Sequence, residues 1–460
     1  MPPRRNLAGD AGREYFDAER ECRDPAGREA ASLAQLKVQL ERCYERVPFY
    51  RRHWDREGFH PSQVGTWADF TARCPVIDKK MLVSDQAEHP PFGSYLGIDR
   101  ADVARVQASS GTSGTPTLYG VGAEDWRRAG QVFAMTQWAM GVRPGDVVQF
   151  AFPFSLFFGG WGVLYGAEEI GATCFPIGAS ETRRHVELLF ALGSTVLEAT
   201  PSYMLHMAEV AAGLGYDPAA SPLRRAIVGG EPGGAIPSTR ARILELWGLE
   251  TVCDSGSTSE MFPFCTTTEC EEMQGPHLFN DEVWTELVDP ADPHSPVAEG
   301  ERGATVYTHL WRTSQPMIRF ASRDAAIVSS EPCACGRTYP RLPGGVLGRV
   351  DDMLLVRGVN VYPSAIERAL RETDGLGLEF RIFVDRAGEM DEVTVQVEPA
   401  GETGDEAVLA ELRERASEAL RHRCHVRIGC EIVPPGTFER TTLKSRRVVD
   451  RRPGRVEAGR

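Results

Sequence analysis

No stretch of this chain approaches the ~20 uninterrupted apolar residues that a membrane-crossing helix needs, and its start, MPPRRNLAGDAGREYF, lacks the apolar run of a secretory signal. A cytoplasmic location is the expectation. An excess of positive charge is also missing: 51 Lys and Arg stand against 65 Asp and Glu, a formal net charge of −14. That balance disfavours nonspecific binding to nucleic acid or to an anionic membrane, although a local basic patch can still hold phosphates. Internal repeats and low-complexity tracts are absent, and so is the Gly-Lys-Ser/Thr ending of a P-loop. Cysteine is not scarce. The 11 cysteines are an odd number spread over a long chain, which argues for reduced thiols or metal ligands rather than a disulfide framework.

What is present is the composition of a folded, enzyme-sized molecule, with 42% apolar and 25% charged residues. At 460 residues the chain exceeds what one hydrophobic core usually supports, so at least two domains are expected. Leu33, Leu36, Leu40, Tyr44 and Val47 recur at helical spacing and predict a docking helix stopped by Pro48. From about Val103 to Ile327, β-rich runs such as "DVVQFAF", "ATCFPI" and "RRAIVGG" alternate with helical patterns such as "TRRHVELLFAL" and "SYMLHMAEVAAGL", which predicts an α/β domain with parallel strands. After Arg349 the pattern changes. "DMLLVRG" and "EVTVQVEP" read as strands, and "SAIERALRE" and "EAVLAELRERASEAL" as amphipathic helices, the latter with Leu409, Leu412, Ala416 and Leu420 on one face. Ser364 and Glu367 have the spacing of a capping box. The division predicted is a large α/β domain over 1–350 and a small α+β domain over 351–460.

Two clusters point to chemistry. The segment Ser109-Ser110-Gly111-Thr112-Ser113-Gly114-Thr115-Pro116-Thr117 packs hydroxyl and amide donors onto a freed backbone, which suits a polyphosphate; the plain alternative is a surface turn. Cys270, His277, Cys333 and Cys335 supply three thiolates and an imidazole, a set suited to tetrahedral structural zinc, against the alternative of buried free thiols and a surface histidine.

"SSGTSGTPT", "GGEP" at 229–232, "DSGSTSE" at 254–260, "PMIRFASRD" at 316–324 and "GRVDDMLLVRGVNVYPSAIE" at 348–367 occur in the order seen in adenylate-forming enzymes. The set most resembles the phenylacetate–CoA ligase branch, and the likeness, which includes "PFGSYLG" at 91–97 and "TPSYMLHMAEV" at 200–210, covers nearly the whole chain. It implies a large AMP-binding domain and a mobile C-terminal lid. Residue by residue, it assigns the phosphates of ATP to Ser110, Thr112, Ser113 and Thr117, and places Gly230, Glu231 and Pro232 in the nucleotide site. Glu260 would help hold Mg²⁺, with Thr258 and Ser259 facing phosphate or substrate. Asp324 would take the ribose hydroxyls, Arg349 would contact the nucleotide, Asp351 would be the hinge, and Lys444 would bridge the reacting carboxylate and the α-phosphate. Two positions depart from the pattern: Thr115 stands where the loop usually has lysine, and Gly256 where a tyrosine commonly packs on adenine.

In "FAFPFSLFFGGWG" the aromatic density exceeds the chain's 8% average, and the resemblance places an acyl pocket there, drawing on Phe152, Phe154, Phe157, Phe158, Gly159 and Trp161. Alternate rings of a strand belong to the core, and the remainder would form a flat slot for an aryl acid. Ser155, Glu231, Cys253 and Ser255 are candidates to read ring substituents. Gly358, Val359 and Asn360 would shape a tunnel for coenzyme A, or for a carrier-protein phosphopantetheine, which presents the same thiol. The expected activity is thus an acid–thiol ligase forming an acyl-adenylate, with a homodimer implied only by resemblance. Its rivals are a carrier-loading or amine-acylating enzyme of the same fold and an impaired nucleotide-binding protein.

Overall fold

The structure, a computed structural model, describes residues 14–109, 116–156, 159–178, 180–231, 233–350, 354–356, 359–387, 390–401, 405–438 and 447–452. Five helices lead in: α1 (Ala18–Glu21), α2 (Pro25–Arg46), α3 (Pro48–Glu57), α4 (Trp67–Arg73) and α5 (Lys79–Glu88). The docking helix is α2, opened by Pro25 and an Asp24 side-chain cap, with Leu36, Leu40 and Cys43 buried. Pro48 does not merely stop it, because the same fixed φ that ends one helix suits the first position of α3.

An antiparallel hairpin, β1 (Val103–Ala108) and β2 (Leu118–Gly122), flanks the Ser/Gly/Thr segment. Beyond it the chain alternates: α6 (Ala123–Ala139), β3 (Val147–Phe150), α7 (Gly159–Ile170), β4 (Thr173–Phe175), α8 (Thr182–Leu192), β5 (Val196–Ala199), α9 (Pro201–Gly213), β6 (Arg225–Gly229), α10 (Pro237–Trp247) and β7 (Thr251–Gly256). The strand order is β4-β3-β5-β6-β7, all parallel, continued antiparallel by β8 (Thr267–Thr268) and β9 (His277–Leu278). Successive side chains alternate faces. Val148, Phe150, Val196, Ile227 and Cys253 pack with Phe133 and Trp138 of α6 and Val163 and Ala167 of α7. Leu197, Ala226 and Val252 pack on the other side with α8, α9 and α10. From β3 the chain goes one way to β4 and then returns to β5 on the opposite side of β3, so these two neighbours form the switch point of the sheet.

The expectation of parallel strands through Ile327 does not hold in its last part. β10 (Val283–Asp289), β11 (Asp292–Pro296), β12 (Arg302–His309), β13 (Phe320–Ile327) and β14 (Gly348–Arg349) form a second sheet, order β11-β10-β12-β13-β14, antiparallel throughout. No helix separates these strands, so the crossover that parallel pairing requires is missing.

From Leu354 onward a separate apolar core forms from residues such as Ile366, Leu370, Phe380, Val395 and Leu420. It is built by β15 (Leu354–Val356), β16 (Val359–Val361), α11 (Pro363–Arg371), β17 (Leu376–Ala387), β18 (Met390–Pro399), α12 (Glu406–Cys424), β19 (Gly429–Ile432) and β20 (Val448–Asp450), with sheet order β19-β18-β17-β20. The capping box at Ser364 is not formed. Tyr362 is the N-cap and makes no side-chain cap, Pro363 takes the first helical position, the Ser364 hydroxyl donates to the Leu347 carbonyl, and Glu367 pairs with Arg371. Among the described residues no helix is long and apolar enough to cross a membrane.

Candidate active site and metal cluster

Of the expected site residues, Phe152 and Phe154 follow β3, Gly230 and Glu231 follow β6, and Thr258, Ser259 and Glu260 follow β7, at the carboxyl ends where open α/β sheets form their ligand crevice. Glu260, in the turn after β7, is nearly fully buried. Its carboxylate accepts from the Tyr119 hydroxyl of β2 at 3.2 Å and pairs with Lys79 Nζ at 3.0 Å, while its carbonyl accepts from Arg312 Nη1 at 2.9 Å. Beside it the Thr258 hydroxyl oxygen is buried without a partner among the described residues, and Ser259 lies in the same turn. A carboxylate at an ammonium, with an unspent hydroxyl next to it, is a donor set that suits Mg²⁺ and phosphate oxygens.

Lys79 was not anticipated. It opens α5, capped by Asp78, and in sequence "DKK" reads as a solvated pair of lysines. Arg312 was missed as well: fully buried, with Nε and Nη2 unpartnered among the described residues, it is pushed down to about 10, chiefly by burial.

Asp324 on β13 and Arg349 on β14 face each other in register, so the antiparallel sheet brings this pair together. Gly230 turns with φ +87°, and the Glu231 carboxylate accepts from the Ser202 amide at 2.8 Å, fixing the first turn of α9. The position of Gly256 also has a structural cause. A side chain there would place its Cβ 3.0 Å from Thr267 Oγ1, and the Gly256 carbonyl already accepts from the Thr266 and Thr267 hydroxyls. Thr117 is buried next to β2, its amide donating to Ser109 Oγ at 3.0 Å. Ser110, Thr112, Ser113, Pro232, Asp351, Gly358 and Lys444 lie outside the described residues, as do the side chains of Val359 and Asn360 in β16.

Phe150 ends β3 wholly inside the core, and the chain beyond it carries Phe152 and Phe154, both half-buried against the same apolar layer. Phe154 meets Phe150 at 6.4 Å and Trp161 edge-on at 5.1 Å. Trp161 in the first turn of α7, which begins at Gly159, donates its indole N–H to the Ser155 carbonyl. Phe157 and Phe158 lie outside the described residues. Cys253 is buried in this layer, and its thiol donates to the Cys270 carbonyl at 3.5 Å; Ser255 Oγ lies 3.6 Å from Cys265 Sγ and 3.4 Å from Thr268 Oγ1.

Cys270, His277, Cys333 and Cys335 come together from three segments, with their ligand atoms all within 4.8 Å of one another. Cys270 Sγ is 3.7 Å from Cys333 Sγ, and Cys335 Sγ is 3.5 Å from His277 Nε2. A tetrahedral zinc site with ordinary bond lengths requires about 3.8 Å between sulfurs and about 3.6 Å between sulfur and nitrogen, so the four residues fit that ion. The other imidazole nitrogen faces the Tyr339 carbonyl at 3.4 Å, the outer-shell arrangement that orients a metal-binding histidine. Four protein ligands leave no open position, so a zinc ion held here would be structural in kind.

The profile of the AMP-binding enzyme C-terminal domain matches residues 358–452. A phenylacetate-coenzyme A ligase of Thermus thermophilus is 36% identical over 433 residues, covering 91% of this chain and 95% of that protein. Among solved structures, 2-hydroxyisobutyryl-CoA ligase in its postadenylation state superposes with a TM-score of 0.90 at 40% identity, over 98% of this chain and 94% of that one. The same ligase in its thioesterification state superposes at only 0.73, with 41% identity over 96% of this chain and 94% of that one. With near-complete coverage in both chains and the same two-domain architecture, this chain belongs to the phenylacetate-coenzyme A ligase family of adenylate-forming enzymes.

Proposed function

We propose that the protein joins a small aromatic carboxylic acid to coenzyme A through an acyl-adenylate. The observation that carries the aromatic part is the ring set Phe152, Phe154 and Trp161 beyond the end of β3, on the sheet whose β7 leads to Glu260. In the first half-reaction a carboxylate oxygen attacks the α-phosphorus of ATP and pyrophosphate leaves. The thiol then attacks the acyl carbon, its proton passing to solvent, and AMP leaves with the oxygen that made the anhydride. Splitting one difficult step into two is what the activated intermediate achieves.

In this reading Asp324 accepts the ribose hydroxyls and Arg349 steadies the nucleotide beside it. Glu260 would hold Mg²⁺, which when bound neutralises phosphate charge, and Lys79, paired with Glu260, supplies a further cation beside it. Lys444, carried over from the family pattern, is the mobile ammonium that neutralises both reacting anions. Rotation at Asp351 then brings Gly358, Val359 and Asn360 to the thiol. An aliphatic hydroxy acid is the second reading, favoured by the 40% identity to a 2-hydroxyisobutyryl-CoA ligase.

Mass spectrometry of reactions with ATP, Mg²⁺ and a panel of benzoic, hydroxybenzoic, aminobenzoic, phenylacetic, cinnamic and 2-hydroxyisobutyric acids, each with and without coenzyme A, tests both. The expected result is an acyl-CoA from an aryl acid, formed only when coenzyme A is present. An adenylate that never becomes a thioester would move the acceptor to a carrier protein or an amine, and product from the hydroxy acid alone would favour the second reading.

A further inference from the structure

Glu198 is the penultimate residue of β5, and its side chain is wholly buried. Neither carboxyl oxygen has a hydrogen-bond partner among the described residues. In register it stands between Phe150 on β3 and Ile227 on β6, with Cys253 one strand further along. Those three side chains share one apolar layer with Phe152 and Phe154, and the alternation of the strand puts the Glu198 side chain in that layer too. β3 and β5 are also the two neighbours at the switch point, so the carboxyl sits beneath the crevice where an α/β sheet takes its ligand. Its backbone carbonyl accepts from the Ala151 amide at 2.9 Å, which ties it to the start of the aromatic segment.

Burial pushes this carboxyl well above the usual carboxylate range, so it stands as the neutral acid. A neutral carboxyl has one donor and a free acceptor. A hydroxyl or amino group offers the reciprocal pair and satisfies both oxygens at once, whereas an unsubstituted hydrocarbon group leaves them orphaned, which folded proteins rarely tolerate. Phe152 and Phe154, with Trp161 packed edge-on against Phe154, supply apolar surface in the same region but few side-chain donors. The specificity there falls to Glu198.

We propose that Glu198 selects the acid by hydrogen-bonding a hydroxyl or amino substituent on the acyl group, so that the substrate is a hydroxylated or aminated carboxylic acid and not its unsubstituted parent. This rests on the acid-activating function proposed above. The rival occupant of the spot is a trapped water, which would leave substituted and parent acids equivalent.

The test is the kinetics of pyrophosphate release for matched pairs: hydroxybenzoate and aminobenzoate isomers against benzoate, 4-hydroxyphenylacetate against phenylacetate, and 2-hydroxyisobutyrate against isobutyrate. Wild type is compared with Glu198→Gln and Glu198→Met. In the wild type at least one substituted acid is expected to exceed its parent by ~10²-fold or more in kcat/KM, the order of discrimination available to a site with buried polar groups built for a substituent. Glu198→Met should bring that ratio to within about tenfold of unity by losing the substituted acid and gaining on the parent, while Glu198→Gln keeps part of it. The melting temperature of Glu198→Met should not fall, since an orphaned acid has been removed, so a collapsed ratio does not report unfolding. A ratio that survives Glu198→Met, or a wild type that treats every pair alike, overturns the role of Glu198 and leaves the acid-activating function standing. Absence of pyrophosphate release with every acid in all three proteins overturns that function and this proposal with it.

Discussion

Asp254 in β7 shows how a single residue can be positioned by what its neighbours lack. A Cβ at Gly234 would lie 2.4 Å from its Oδ1, so only glycine leaves room for the carboxyl. Burial first, and then the charge of Glu269, push this acid up to about 7, against the opposing pull of Arg240. An ordinary Asp titrates near 3.9. Below about pH 4 both native and unfolded chains carry the proton; between about pH 4 and 7 only the native chain does, so stability falls through that window as pH rises and the full loss is present above it. Asp254→Asn should therefore leave thermal stability nearly unchanged at pH 4 and raise it at pH 8 by roughly 1–3 kcal/mol, below the ~4 kcal/mol that three units would give without relaxation. Melts at the two pH values check it, and an equal effect at both would contradict the cause assigned. Other residues at this scale were out of reach of sequence pattern. Lys79 meets Glu260 only through the fold, and nothing in the spacing of "DKK" announces a partner in a distant turn. Gly256, by contrast, was visible as a departure, and its cause, the close approach of Thr267, became visible only in three dimensions.

At the scale of elements, legibility follows periodicity. "TRRHVELLFAL" coincides with α8 because His185, Val186 and Leu189 keep a buried stripe at helical spacing. β12 buries seven of its eight residues, while β11, "DPHSP", is almost fully exposed and reads as a loop; neither alternates cleanly, which is why the antiparallel sheet was not foreseen. The grouping of Cys270, His277, Cys333 and Cys335 was legible from residue type and order, but what it can do belongs to the elements it joins. Cys270 and His277 flank the link from β8 to β9, and the Cys333–Cys335 loop lies between β13 and β14. Around that loop the Tyr15 hydroxyl donates to the Cys335 carbonyl, Arg337 pairs with Glu21, and Arg28 donates to the Thr338 carbonyl. Cys253 adds a link from the apolar layer of the parallel sheet to Cys270. Metal analysis of gently purified protein should find about one zinc per chain. Cys333→Ser should abolish it and cost ~2 kcal/mol or more of stability, since metal-binding energy is folding energy. A zinc-free wild type, or a variant of unchanged stability, would count against the site.

For the whole molecule, the change of pattern after Arg349 anticipated a second core, and the residues from Leu354 onward do build one. The arrangement of the two units matches the postadenylation form of the related ligase at a TM-score of 0.90 and departs from its thioesterification form at 0.73. Two placements of one small domain on one large domain are what the proposed two-step reaction at a single site needs, because the ammonium proposed for the first step must make way for the thiol of the second. In the proposed reaction the acid and the nucleotide share a bond between those steps. The most direct measurement uses acid labelled with ¹⁸O in its carboxylate, with ATP, Mg²⁺ and coenzyme A, and follows the label into nucleotide by mass spectrometry. AMP carrying one labelled oxygen for each thioester formed is the predicted result; unlabelled AMP, or label found in inorganic phosphate with ADP as the nucleotide product, would contradict it.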